Sequence, residues 1–164
     1  IYTINDYGID TIGQEGLKSQ DGQPVNPRLQ RGRYLELVRR LSDSGMAPDR
    51  MGLQCHTGWM MPSDQMAFYD EMSSAGIPLT ITEFGASTRE LMNLPESRTE
   101  SEEWRSFTNG KKIRDLSETE AIALRDQYII DYMTCAFAHP NIDSFYFWGF
   151  MGMAVILRIV QCSP

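Results

Sequence analysis

Residues 77–84 read Ile77-Pro78-Leu79-Thr80-Ile81-Thr82-Glu83-Phe84. Apolar and β-branched residues dominate from Ile77 to Thr82, which predicts a strand, and Glu83 follows it directly. A carboxylate at the rim of a buried strand is costly unless it is paired, hydrogen-bonded or functional. From position alone, a functional Glu83 stands level with a Glu satisfied by a helix N-terminus or an arginine.

Upstream of this run, Pro62 and Ser63 mark a helix start with Ser63 as N-cap. Met66, Phe68, Tyr69 and Met72 supply its apolar bulk, and Gly76 closes it. Before it, Met51-Gly52-Leu53-Gln54 reads as a short buried strand entering Cys55 and His56. Earlier still, a helix is predicted from about Leu29 to Ser44, stopped by Gly45, with Tyr34, Leu37, Val38 and Leu41 on one face. A polar, Gly- and Pro-rich loop (Gly8 to Pro27) separates it from a first strand, Ile1 to Asn5. Downstream, Ala86 to Leu116 is polar and irregular, a length usually functional or mobile in a connector. Ser117 and Glu120 form a capping box for a helix whose inner stripe is Ile122, Ile129, Met133 and Phe137, and Pro140 ends it. Ser144 to Trp148 is the last strand, broken by Gly149.

Strands separated by full helices run parallel. The chain is therefore α/β, and periodicity leaves a doubly wound sheet and a barrel segment open. Its 164 residues match one ordinary domain, whereas a whole (β/α)8 barrel takes about 250. A net charge of −7 without a Lys/Arg block argues against nucleic acid and anionic membrane as partners. Three cysteines, Cys55, Cys135 and Cys162, lack CxxC spacing, so no zinc site, disulfide framework or other cofactor is indicated. The apolar stretch Ala154 to Val160 is interrupted by Arg158 and too short to span a bilayer.

Each predicted strand finishes in residues that a plain sheet does not need: Asn5-Asp6-Tyr7, Gln54 with His56, Glu83, and Trp148. In parallel α/β folds the carboxyl ends of adjacent strands meet on one face, where chemistry is built. His56 reads either as a core imidazole or as a donor that orients Glu83. On extended backbone Gln54 points to the same side as His56. Tyr146 and Trp148 share one face of the last strand, Phe145 and Phe147 the other. Trp59 and Trp104 fall in loops, where sugar stacking and surface anchoring are equally good readings.

Taken in order, these segments resemble glycoside hydrolase family 10. Thr3-Ile4-Asn5-Asp6-Tyr7 resembles the family's fifth strand and Met51-Gly52-Leu53-Gln54-Cys55-His56 its sixth. Ile81-Thr82-Glu83-Phe84 resembles the seventh, and His139-Pro140 through Phe147-Trp148-Gly149-Phe150 leads into and covers the eighth. The resemblance implies a partial (β/α)8 TIM barrel, strands five to eight with their helices, over residues 1–150. It further implies a secreted retaining endo-1,4-β-xylanase, in which one carboxylate attacks the anomeric carbon and a second, roughly 5–5.5 Å away, protonates the leaving oxygen. Glu83 then corresponds to the nucleophile and His56 to the residue that orients it. Gln54, Trp148, Tyr7 and Asn5 correspond to substrate-binding positions, Asn5 together with Asp6 also having a structural reading. Xylan or a related β-1,4-linked polysaccharide is the implied partner.

Three departures from the family pattern stand out. Gly85 occupies a position where many members carry an Asp that supports the His. The acid/base Glu, in an Asn-Glu pair ending the fourth strand, is expected before Ile1, so the N-terminal half of the barrel is needed for a complete site and this segment alone is expected to be inactive. A half-barrel also leaves sheet edges prone to association. Three rival readings remain: a non-catalytic carbohydrate-binding remnant, a retaining barrel glycosidase acting on another β-glycan and, last, a structural α/β domain with no ligand, which leaves the strand-end residues as coincidences.

The third departure is the tail, 151–164, which is atypical. From the third base of the Met151 codon, degenerate codons permit G-N-G-G-Y-F-K-D-C-P-V-F, which is similar to the family's usual continuation. A frameshift near Met151 is the expectation. Resequencing the gene across that codon is expected to reveal it, and an uninterrupted read encoding Met151 to Leu157 as they stand overturns it.

Overall fold

Four strands line up in chain order in the computed structural model, which describes residues 1–10, 22, 26–56 and 59–148. They are β1 (Thr3–Asp6), β2 (Arg50–Leu53), β3 (Leu79–Phe84) and β4 (Ile142–Phe147), and every neighbouring pair is parallel. The connections run through α1 (Pro27–Asp43), α2 (Pro62–Ser73) and α5 (Glu118–Ala138), with α3 (Thr88–Met92) and α4 (Glu102–Phe107) inserted between β3 and α5. A doubly wound sheet reverses its strand order at a switch point. This sheet does not reverse, and the fold is an α/β segment of a (β/α)8 barrel wall.

Register separates the two faces. Ile4, Met51, Leu79 and Ile142 form one cross-strand row, and Leu53, Ile81 and Phe145 the next. These rows join the core that Tyr34, Leu35 and Val38 of α1, Phe68, Tyr69 and Met72 of α2, and Tyr128, Ile129 and Tyr132 of α5 complete. The opposite face carries the row Asn5, Gly52, Thr80 and Ser144, small and polar, with Thr80 Oγ1 and Ser144 Oγ hydrogen-bonded at 2.6 Å. A bulge at Asp143 in β4 lets its carboxylate take Arg50 of β2 at 2.5 Å.

Several expectations shift in the structure. Helix α1 starts at Pro27, capped by Asn26, whose side chain accepts from the N–H groups of Arg28 and Leu29. Its inner face is Tyr34, Leu35 and Val38, and Leu37 is exposed. Ser63 is not the N-cap of α2. Met61 takes that position without a side-chain bond, and Glu103 of α4 caps in trans, accepting from the Ser63 N–H at 3.2 Å and from its hydroxyl at 2.5 Å. Burial, and then Glu103, hold the neighbouring Asp64 carboxyl above its ordinary pKa. The inner stripe of α5 is Ala121, Tyr128, Ile129, Tyr132 and Ala136, with Phe137 outside. Predicted strand spans move by one or two residues, and Glu83 lies inside β3 rather than after it.

The stretch from Ala86 to Leu116 is not irregular throughout. A Ser87–Glu90 capping box starts α3, and Ser101 caps α4. Leu91, Trp104, Ile113 and Leu116 anchor the segment in the core. Trp104 is therefore a core residue, as is Trp59, which stacks on Tyr128 with ring centroids 4.3 Å apart. Neither is a surface anchor or a sugar platform. Cys55 is buried and Cys135 half-buried. The expectations for Gly149, Phe150, Cys162 and the tail, and for most of the loop between Gly8 and Pro27, lie outside the described residues.

The Ser117–Glu120 capping box is present as expected. The Lys111 ammonium, then the Ser117 N–H and hydroxyl, pull the Glu120 carboxyl down from 4.5 to about 2. A depressed folded-state pKa means that this contribution to stability is complete above pH 4.5 and is lost as pH falls toward about 2. Ser117→Ala is expected to lower unfolding stability by about 1 kcal/mol, measured by urea denaturation at neutral pH, with the difference from wild type shrinking in acid.

Candidate active site

A bulge brings the carboxylate to the open face. Between Ile81 and Phe84, β3 advances three residues while β4 advances two, from Phe145 to Phe147. Bulges redirect side chains at the rims of barrels, and here Thr82 and Glu83 both reach Asn5. Thr82 Oγ1 donates to Asn5 Oδ1 at 2.9 Å, and Asn5 Nδ2 donates to Glu83 Oε1 at 3.3 Å. Asn5 belongs to β1, so its side chain crosses over β2 to meet β3.

The second carboxylate oxygen faces the imidazole, with His56 Nε2 lying 2.9 Å from Glu83 Oε2. An ionised carboxylate only accepts, so Nε2 carries the proton. Both side chains are about one-fifth exposed (21% and 20%). Each oxygen of Glu83 thus has its own donor.

Trp148 stands at the end of β4. Its indole meets the His56 ring edge-on at 5.3 Å and 89°, and its N–H in the backbone donates to the Phe84 carbonyl at 2.9 Å. Tyr7 lies 6.3 Å from His56 on a tilted ring. Trp148 and Tyr7 are 60% and 57% exposed, so a carboxylate, an imidazole and two aromatic rings share one accessible rim. Glu83, His56, Trp148, Tyr7 and Asn5 are brought together. Gln54 sits at the end of β2, where its backbone N–H donates to the Asp6 carbonyl at 3.3 Å, and no hydrogen bond links its side chain to Glu83. Strand alternation does not relate Gln54 to His56, because β2 ends at Leu53 and Cys55 has a φ of 57°, so the backbone between them is not extended.

Asp6 turns to the other side, accepting from the Tyr7 N–H at 2.8 Å and from Gln30 of α1 at 3.3 Å. Beneath the rim, the buried Tyr34 hydroxyl of α1 shares its one proton between the carbonyls of Ile4 at 2.7 Å and Gly52 at 3.1 Å. Burial pushes its pKa upward, so it remains a donor. Gly85 is not demanded by space, since a Cβ there meets only the His56 carbonyl, at 3.9 Å. The direct hold of Asn5 on Glu83, the bond by which Thr82 fixes Asn5, and the role of Tyr34 below are not legible in sequence. A strand-end Asn and a helical Tyr have many uses, and their distances from Glu83 along the chain are long. Among the described residues, no group of three or more His, Cys, Asp or Glu side chains converges as a metal site.

The family model described as Glycosyl hydrolase family 10 matches residues 3–154. Among solved structures, the chain is similar to a family 10 xylanase from Bispora sp. MEY-1 solved with xylobiose (TM-score 0.55, 15% identity, 90% of this chain and 33% of that one). It is also similar to a thermostable xylanase mutant from Cellvibrio japonicus (0.56, 15%, 90% and 38%) and to a psychrophilic family 10 endo-β-1,4-xylanase (0.55, 19%, 90% and 36%). The chain spans about a third of the length of these structures, and at such identities the likeness concerns the fold. A search of curated proteins finds no match.

The Tyr34 hydroxyl bonds strand carbonyls of both β1 and β2 from the core side. Tyr34→Phe is expected to lower stability by about 1–3 kcal/mol, read from the shift in urea midpoint at constant slope. An unchanged midpoint rules out its role in pinning β1 to β2.

Proposed function

The chain belongs to glycosyl hydrolase family 10, and on that premise we propose that it carries the nucleophile of a retaining endo-1,4-β-xylanase. The observation that carries the reading is Glu83, with one oxygen on Asn5 and the other on His56, beside the exposed Trp148 indole.

In the proposed reaction a xylan chain lies along the rim with a sugar ring against Trp148. A Glu83 oxygen attacks the anomeric carbon as the glycosidic C–O bond breaks. The leaving oxygen takes a proton from an acid carboxyl elsewhere in the parent protein. Water then hydrolyses the glycosyl ester and releases Glu83 as a carboxylate, with that second carboxyl acting as base. Asn5 and His56 hold the attacking carboxylate in one orientation, which reduces the reorganisation needed at the transition state. The family resemblance assigns Tyr7 to the leaving-group side, and its ring beside His56 supports that reading. Gln54 is proposed to bind a sugar hydroxyl, consistent with a side chain that has no bond to the Glu83 cluster.

In the full-length protein, Glu83→Ala is expected to reduce xylan hydrolysis by several orders of magnitude while xylo-oligosaccharide binding survives. Wild-type protein that binds the glycan without turnover replaces this reading with a carbohydrate-binding remnant. Preference for glucan or mannan over xylan in parallel assays reassigns the substrate.

A further inference from the structure

We propose that Gly52 is a positioning residue for the nucleophile: its missing side chain leaves the passage across β2 through which Asn5 reaches Glu83. The inference rests on the reading of Glu83 as nucleophile.

Gly52 lies opposite Asn5 on one side and Thr80 on the other, in the small polar row of the open face. Its φ is not in the left-handed region that favours glycine, so backbone conformation does not select it. Space does. A Cβ built there meets Asn5 Oδ1 at 2.5 Å, Cγ at 3.0 Å and Cβ at 3.1 Å. Neighbouring strands stand about 4.8 Å apart, so a side chain going from β1 to β3 has to pass over whatever β2 presents between them. The short Asn5 side chain manages this because β2 presents no side chain at that point.

The backbone of Gly52 cannot retreat. It is laddered to strands on both sides, and its carbonyl accepts from the buried Tyr34 hydroxyl at 3.1 Å. The side chain of Asn5 is what gives way. Its amide oxygen is the nearest atom to the added methyl, and the same amide accepts from Thr82 and donates to Glu83. A methyl at position 52 therefore displaces the amide, and Glu83 keeps only its bond to His56. The damage falls on the orientation of the carboxylate rather than on the fold, because an exposed-face side chain moves more cheaply than a core strand.

The test uses the full-length enzyme with an aryl β-xylobioside, comparing Gly52→Ala, Asn5→Ala, the double variant and Glu83→Ala. Loss of a hydrogen bond to a charged group predicts that Gly52→Ala lowers kcat about 10- to 100-fold. KM and xylobiose affinity are expected to stay within about twofold, and Tm to change little. Asn5→Ala should lose a similar factor, and the double variant should be no worse than Asn5→Ala alone, since both substitutions remove one interaction. The proposal is overturned by a change in kcat under about twofold in Gly52→Ala, by losses that multiply in the double variant, or by an effect confined to KM. If Gly52→Ala does not fold, the double variant decides. With the amide gone, only the Asn5 Cβ remains at 3.1 Å, so recovery of folded protein supports the proposal and continued failure overturns it. Glu83→Ala separates the premise: full turnover in that variant removes the nucleophile reading and this inference with it, whereas an inactive Glu83→Ala leaves the Gly52 outcomes to stand alone.

Discussion

A carboxylate near the end of a buried parallel strand has to be supplied with donors, because its oxygens have lost much of their water. Glu83 meets this requirement from two directions at once: Asn5 from β1 and His56 from the turn after β2. Each donor depends on a different irregularity. His56 follows Cys55, whose backbone is left-handed, and Asn5 reaches over a glycine. The bulge in β3 then turns Glu83 itself toward both. A left-handed residue after β2, a position on β2 without a side chain and a bulge in β3 together serve one side chain.

The helices make those departures affordable. On their side of the sheet the rows are large and apolar, Met51 and Leu79, then Leu53 and Ile81, and the strands are gripped there. The open face can then be small and polar, with Asn5, Gly52, Thr80 and Ser144 in one row and Arg50 with Asp143 below the rim. Tyr34 joins the two layers, since its ring lies in the core while its hydroxyl holds the carbonyls of Ile4 and Gly52. The capped stretch between β3 and α5 adds a second layer of anchoring, with Glu103 closing the N-terminus of α2.

How much of this was legible varies with the range of the interaction. The capping box at Ser117 is a local pattern, and it appears as read. An N-cap at Ser63 is the local expectation too, but a carboxylate forty residues away, Glu103, does the capping. Trp59 and Trp104 looked like loop aromatics because a loop's packing partners are remote in sequence; Tyr128, against which Trp59 stacks, lies on a distant helix. The stripe of α5 drifted because a long helix with apolar residues on several faces does not declare which face has a neighbour.

The alternation of strands and helices, the parallel sense of the sheet and the gathering of chemical residues at the strand ends follow from the sequence alone, since they rest on short-range periodicity and the reach of a crossover connection. Tertiary structure decided that the strand order does not reverse, that Glu83 sits on a bulge, and that Asn5 crosses β2 to hold it. Those outcomes depend on which residues face one another across strands, and register is a property of the assembled sheet that no single segment encodes.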